Sequence, residues 1–207
     1  MRRLFLASAF GDVAQALPWG LVQTAHDYIV GFVKTAANPY KDAWWVVKDK
    51  KKLQELGFVI NEIDIEGMEE EDLRTALQAS DILFVAGGNT FHLLFHAVKS
   101  GFDTLVKEFV DSGKVYIGSS AGSVIVGPIL DPIHDLDEAY MVPELTSYNA
   151  FHIIDTVILP HTGAEFGCKN EKIKEEFAEC GYPIVLLTDN QALVVEGDTE
   201  KIIEVQL

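Results

Sequence analysis

Cysteine is almost missing from this chain of 207 residues: Cys168 and Cys180 are the only two. Two cysteines build neither a disulfide framework nor a zinc-type spacing. The expectation is two free thiols in a reducing, cytoplasmic setting. Positive charge is also scarce. Sixteen basic residues face 32 acidic ones, a formal net charge of −16. That field repels phosphate backbones and anionic lipid, which argues against nucleic acid or a membrane surface as partner. An anionic substrate would need a local basic pocket. No apolar run approaches the roughly 20 residues of a membrane span. Repeats, low-complexity tracts and Pro/Gly/Ser-rich linkers are lacking as well. Hydrophobic residues make up 48% and charged residues 23%, the balance of a soluble globular protein. The length suits one domain over residues 1–207 with a sizeable core.

The N-terminus "MRRLFLASAFGDVAQA" mimics a secretory signal, with two arginines, an apolar run and Ala14-Gln15-Ala16. The apolar run is short, however, and Asp12 interrupts the approach to the supposed cleavage site. Leu4–Ser8 reads instead as a first β-strand.

Beyond it, short apolar runs alternate with longer amphipathic ones. Strands are expected at 28–36, 58–65, 81–88 and 114–119, and helices at 41–57, 69–80, 89–100 and 102–113. The run 81–88 is continuously apolar and ends in glycines, as buried parallel strands do. This βαβα alternation predicts an α/β fold with a parallel sheet and helices on both faces. After Pro128 the order blurs. Residues 131–149 are polar and irregular; strand character resumes at 151–161 and 182–189, with a helix at 169–181 between them. Residues 192–206 read as a terminal hairpin about Gly197-Asp198.

In an open parallel sheet, functional groups collect at the carboxyl ends of the strands. Four such ends carry Gly87-Gly88-Asn89-Thr90, Ser119-Ser120-Ala121-Gly122, Pro160-His161 and Thr188-Asp189. A Gly-Gly turn, a serine, a histidine and a carboxylate are the parts of a serine hydrolase. The serine motif, Gly118-Ser119-Ser120-Ala121-Gly122, is G-x-S-x-G. A sharp strand-to-helix turn thrusts its central residue outward and tolerates only small neighbours. Ser120 is therefore the candidate nucleophile, with Ser119 a small residue under the turn. Ala121 offers a backbone N–H at a helix start, one arm of an oxyanion hole. Gly88 is the second arm, since a glycine can present its N–H at close range. Asn89 or Thr90 would cap the following helix in either case.

Six histidines could serve as base: His26, His92, His96, His134, His152 and His161. His92 and His96 stand four apart on one helix, which suggests a metal pair. The glutamate of H-E-x-x-H is missing between them, so they read as helix-surface or pocket-wall histidines. His152 alternates within a strand and reads as structural; His134 sits in the acidic loop. His161 directly follows an apolar strand and is the expected general base. Its orienting carboxylate is less sharply defined. Topology favours Asp189, at the end of the next strand. Asp131, Asp135, Asp137 and Glu138 crowd the loop after the serine helix, where a solvated acidic face or a calcium-like cluster is the plainer reading.

"FVAGGNTFHLL", "GSSAGSVIVGP" and "ILPH", in this order and spacing, resemble the dipeptidase E family of serine peptidases: alpha-aspartyl dipeptidases, with cyanophycinases as relatives. The resemblance runs from about residue 28 to 195. It implies a three-layer sandwich with a mostly parallel central sheet, like class I glutamine amidotransferases, and an activity that needs no metal or other cofactor. It implies Ser120 as nucleophile, His161 as base, and Gly88 and Ala121 as the oxyanion hole. Asp135, fifteen residues after the serine, falls in the loop where the family carries a functional aspartate. Asp189 falls where the family carries a late acidic residue. The implied substrate is a dipeptide or short peptide, with an N-terminal aspartate as one candidate; a monomer or homodimer is expected.

One departure bears on the substrate. Aspartyl dipeptidases carry an arginine-rich stretch after the histidine. Here that segment is "CKNEKIKEEF", and the chain's only arginines are Arg2, Arg3 and Arg74. Lysine holds a carboxylate without the bidentate fork of arginine. An esterase with the same triad, or a non-catalytic binding protein of the same fold, are the alternatives at this stage.

Overall fold

The first strand shows how the sequence builds two cores at once. In β1 (Arg3–Ala7) successive side chains point to opposite faces. Leu4 and Leu6 enter one hydrophobic cluster, Phe5 the other. The same division recurs in β2 (Ile29–Val33), where Val33 and Phe32 part company, and in β4 (Ile82–Val85), where Leu83 and Phe84 do. The structure, a computed structural model, describes residues 1–134, 136–163 and 167–206.

Five strands pair in parallel: β1, β2, β3 (Val59–Ile63), β4 and β5 (Val115–Ser119). A separate two-stranded parallel sheet holds β6 (Val157–Leu159) and β7 (Ile184–Leu186). The hairpin β8 (Gln191–Glu196) and β9 (Thr199–Glu204) extends the main sheet in the antiparallel sense. The order across the main sheet is β3-β2-β4-β5-β1-β8-β9. Helices α1 (Phe10–Val13) and α2 (Trp44–Leu56) send Phe10, Val13 and Leu53 into one core. Helices α3 (Glu70–Gln78), α4 (Thr90–Ser100), α5 (Phe102–Asp111) and α6 (Ala121–Val124) pack into the other, and α7 (Gly167–Glu176) adds Ile173 there. This is the expected three-layer α/β sandwich with a mostly parallel central sheet. Among the described residues no helix is long and apolar enough to cross a membrane.

Two expectations need correction. The segment 151–161 is a strand only over β6. The N–H groups of Phe151, His152 and Ile153 donate to the carbonyls of Ile125, Gly127 and Val126, not to a strand ladder. His152 accordingly leaves strand geometry, with a φ of 50°, and its ring pairs with Asp155 at 2.8 Å. The strands bearing His161 and Asp189 also lie outside the main sheet. They pair with each other in parallel, Val157 opposite Ile184 through Leu159 opposite Leu186.

Candidate active site

Residues 118–122 reverse the chain between β5 and α6. A Cβ on Gly122 would lie 2.0 Å from the Val85 carbonyl oxygen, so only glycine lets α6 approach β4 this closely. At the turn Ser120 takes φ 49° and ψ −111°, a conformation that costs a non-glycine residue about 1–3 kcal/mol. Surrounding bonds hold it there. The Ser120 N–H donates to the Ala7 carbonyl at 3.0 Å, and the Ser123 hydroxyl donates to the same oxygen at 2.7 Å. Tyr116, fully buried, donates its hydroxyl to the Gly122 carbonyl at 2.6 Å. Ser119 points inward, its Oγ accepting the Phe10 N–H at 3.2 Å.

Ser120 Oγ lies 2.8 Å from His161 Nε2, and His161 Nδ1 lies 2.6 Å from Asp189 Oδ1. The small β6–β7 sheet sets this geometry. Parallel pairing brings the residues after both strands to one end, and the Thr162 N–H donates to the Leu187 carbonyl at 2.8 Å. Ser8, at the end of β1 and fully buried, joins the two. Its hydroxyl donates to Asp189 Oδ1 at 2.8 Å and accepts the His161 backbone N–H at 2.7 Å. The hydrogen bond from His161, with help from Ser8, holds the Asp189 carboxyl below its usual range against the opposing effect of burial. A carboxylate on Nδ1 keeps the proton there and leaves the Nε2 lone pair facing the Ser120 hydroxyl. Such a chain can take a proton from serine as its oxygen attacks carbon.

Gly87 and Gly88 follow β4, the neighbour of β5. A Cβ at Gly88 would fall 2.1 Å from the Ala36 carbonyl oxygen. Gly87 is pinned through its own carbonyl, which accepts the Trp45 indole N–H at 3.0 Å. The N–H groups of Gly88 and Ala121 have no hydrogen-bond acceptor among the described residues. Asn89 then caps α4, its side chain accepting the His92 N–H at 2.8 Å.

A cleft of about 80 Å³ opens beside Ser120. Val124, Ile133, Leu136 and Pro160 form its apolar wall; Thr90, Asp137 and Asn170 are polar. The Asp137 carboxylate accepts the Thr90 N–H at 2.8 Å. Burial pushes its carboxyl above the usual range, opposed by the bonds to Thr90. Asn170, fully buried, donates to the Pro160 carbonyl at 2.8 Å and to Thr162 Oγ1 at 2.7 Å, while its own Oδ1 has no partner among the described residues.

Of the residues singled out in the sequence, Ser120, His161 and Asp189 come together, with Ala121 and Gly88 on the adjoining turns. Asp135 lies outside the described residues. Of the other loop acids, Asp137 reaches the cleft, Glu138 accepts the Tyr40 hydroxyl at 2.9 Å, and Asp131 is exposed. The His134 ring packs near Phe91 and Tyr148. Ser8 and Asn170 escaped the sequence reading. Ser8 could have been found, since it ends a strand on the same edge; Asn170 carries no local signal.

Asp49 lies close to this turn, 3% exposed, and accepts the Gly11 N–H at 2.9 Å. Burial raises its pKa to about 6, against the lowering effects of Ser119 and Gly11. A carboxyl that binds its proton more tightly when folded loses stability as pH rises between its unfolded and folded values. Asp49 should therefore cost the fold about 2–3 kcal/mol as pH rises from about 4 to 6. Asp49→Asn should remove that component. Denaturant melts of both proteins at pH 4 and pH 7 check it: the variant gains on the parent at pH 7, whereas equal differences at both pH values would contradict it.

The sequence profile of peptidase family S51 matches residues 8–203. An uncharacterized peptidase of Listeria monocytogenes, Lmo0363, is 34% identical over 200 residues, covering 95% of this chain and 96% of its own. Peptidase E of Shewanella amazonensis is 36% identical over 206 residues, covering 94% and 84%. A crystal structure from Listeria monocytogenes EGD-e, provisionally named Peptidase E, superposes with a TM-score of 0.91 at 31% identity, over 100% of both chains. A peptidase from an acI-B1 actinobacterium shares the fold, with a TM-score of 0.66 at 15% identity over 99% of this chain and 88% of that one. The match takes in Ser8, Gly88, Ser120, His161 and Asp189, and the chain belongs to peptidase family S51 as a serine-type peptidase.

Proposed function

We propose that Ser120, His161 and Asp189 form the catalytic triad of a peptidase for dipeptides and very short peptides. The continuous hydrogen-bond chain from Ser120 Oγ through His161 to Asp189 carries this reading. Ser120 Oγ attacks the scissile carbonyl carbon while His161 Nε2 takes the hydroxyl proton. The N–H groups of Gly88 and Ala121 receive the oxyanion. The carbon–nitrogen bond breaks as His161 returns that proton to the leaving amine. Water then attacks the acyl ester, giving its proton to His161, and Ser120 is released with its hydroxyl restored. Asp189 stabilises the imidazolium throughout.

The narrow cleft supports a small substrate. None of its described lining residues is a lysine or arginine, and one is the carboxyl of Asp137. An N-terminal aspartate would find no cation there. A free α-ammonium would find an acceptor, so Asp137 is assigned to the substrate's amino terminus, with uncharged first residues preferred over aspartate. The test is a dipeptide panel in free and N-acetylated form. Acetylation removes a charged hydrogen bond and should lower kcat/KM about 10–100-fold, and Asp137→Asn should erase most of that difference. Equal turnover of both forms would overturn the amine assignment. Hydrolysis of p-nitrophenyl esters with no peptide cleavage would give the triad to an esterase instead.

A further inference from the structure

His92 and His96 occupy successive turns of α4, so both imidazoles project from one face. The helix itself carries no acidic residue. The fold supplies it from elsewhere: Glu66, on the segment after β3, faces both rings. Its Oε2 lies 3.6 Å from His92 Nε2, and its Oε1 lies 3.8 Å from His96 Nε2. These separations are too long for hydrogen bonds. They are close to the spacing of about 3.4 Å between ligands of a tetrahedral ion with bonds of about 2.1 Å. The three ligand atoms all lie within 4.8 Å of one another.

Three features make this more than a chance grouping. His92 Nε2 is buried and has no hydrogen-bond partner among the described residues, an expense that a metal–nitrogen bond would remove. Both imidazoles are largely covered, with side-chain exposures of 15% and 12%. Glu66 is oriented by a neighbour, since Asn38 Nδ2 donates to its Oε2 at 2.8 Å and to Asp64 at 3.0 Å. A second layer of hydrogen bonds of this kind is what fixes carboxylate ligands in metal sites.

We propose that Glu66, His92 and His96 bind a divalent cation of the zinc class, with water in the fourth position. Two imidazoles and one carboxylate suit zinc, cobalt(II) or nickel, and suit calcium or magnesium poorly. Bound there, the ion ties the segment after β3 to α4, the helix that begins just past Gly88. The proposal concerns a site separate from the proposed triad, and the hydrolytic steps above do not pass through it.

The test uses the whole protein, stripped with chelator and dialysed. Calorimetric titration with Zn2+ should show one tight equivalent, and Co2+ should give the visible absorption of a tetrahedral site. Zn2+ should also raise the melting temperature. The double variant His92→Ala/His96→Ala should lose the tight equivalent and the thermal shift. Glu66→Gln, a change at an exposed side chain, removes a direct ligand and should weaken affinity by at least the roughly tenfold that loss of an outer-shell partner costs. Should the double variant fail to fold, Glu66→Gln decides alone. Absence of a tight equivalent in the parent protein would overturn the proposal. So would binding that neither substitution weakens, as expected if the ion sits on other surface groups.

Discussion

Ser120→Ala should lower peptide turnover about 10⁴-fold or more, while the protein stays folded and keeps its substrate affinity. The loss follows from chemistry that alanine cannot replace, since no other hydroxyl stands within reach of His161 Nε2 among the described residues. The small change in stability follows from the backbone. Alanine inherits the same strained φ of 49°, and the bonds holding the turn come from Ala7, Ser123 and Tyr116, not from the Ser120 side chain. Ser120→Gly separates the two effects further. It should be equally inactive yet more stable, by up to about 1 kcal/mol, because glycine adopts this conformation without a steric penalty. Peptide assays and denaturant melts on the same preparations check both statements.

That a turn of this kind stands at residues 118–122 was legible because its cause is local. Only small residues fit, and the sequence writes them in a row. The Gly87-Gly88 turn and His161 were legible for a related reason, each ending a recognisable apolar run. The sheet order was not written locally. Nothing in the runs 151–161 and 182–189 says that they shrink to β6 and β7 and pair apart from the main sheet. At the start of the first run the 125–127 carbonyls capture the backbone of Phe151 to Ile153, a contact between segments that neither run announces. The polar contacts that join distant segments were hidden in the same way. Ser8 meets Asp189 across 181 positions of sequence. Glu66 meets His92 and His96 only because the segment after β3 passes beside α4. A search confined to helical spacing finds the two histidines and misses the acid.

Asp189→Asn should cost about 10²–10⁴ in kcat with little change in KM. The amide presents an N–H as readily as an oxygen to His161 Nδ1. In that orientation the imidazole proton moves to Nε2, the nitrogen that must accept from Ser120, and the base is lost. Asparagine also stabilises the imidazolium less, having no charge. Ser8 sharpens the test because it touches both partners. Ser8→Ala removes one bond to Asp189 and one from the His161 backbone. As a positioning residue it should cost about tenfold in kcat, far less than the aspartate. If Asp189→Asn retains full activity, the orienting acid lies elsewhere, and the acidic loop after α6 is the place to look.

The central claim is that Ser120 is an activated nucleophile. Labelling with a fluorophosphonate probe, followed by mass mapping of the modified peptide, tests it most directly. An unactivated serine does not react with such a probe, whereas a triad serine displaces its fluoride and keeps the phosphonyl group. The account predicts stoichiometric labelling at Ser120, none in Ser120→Ala, and strongly slowed labelling in His161→Ala. An unlabelled Ser120 in a protein that is cleaving peptides, or a label found on another residue, would contradict it.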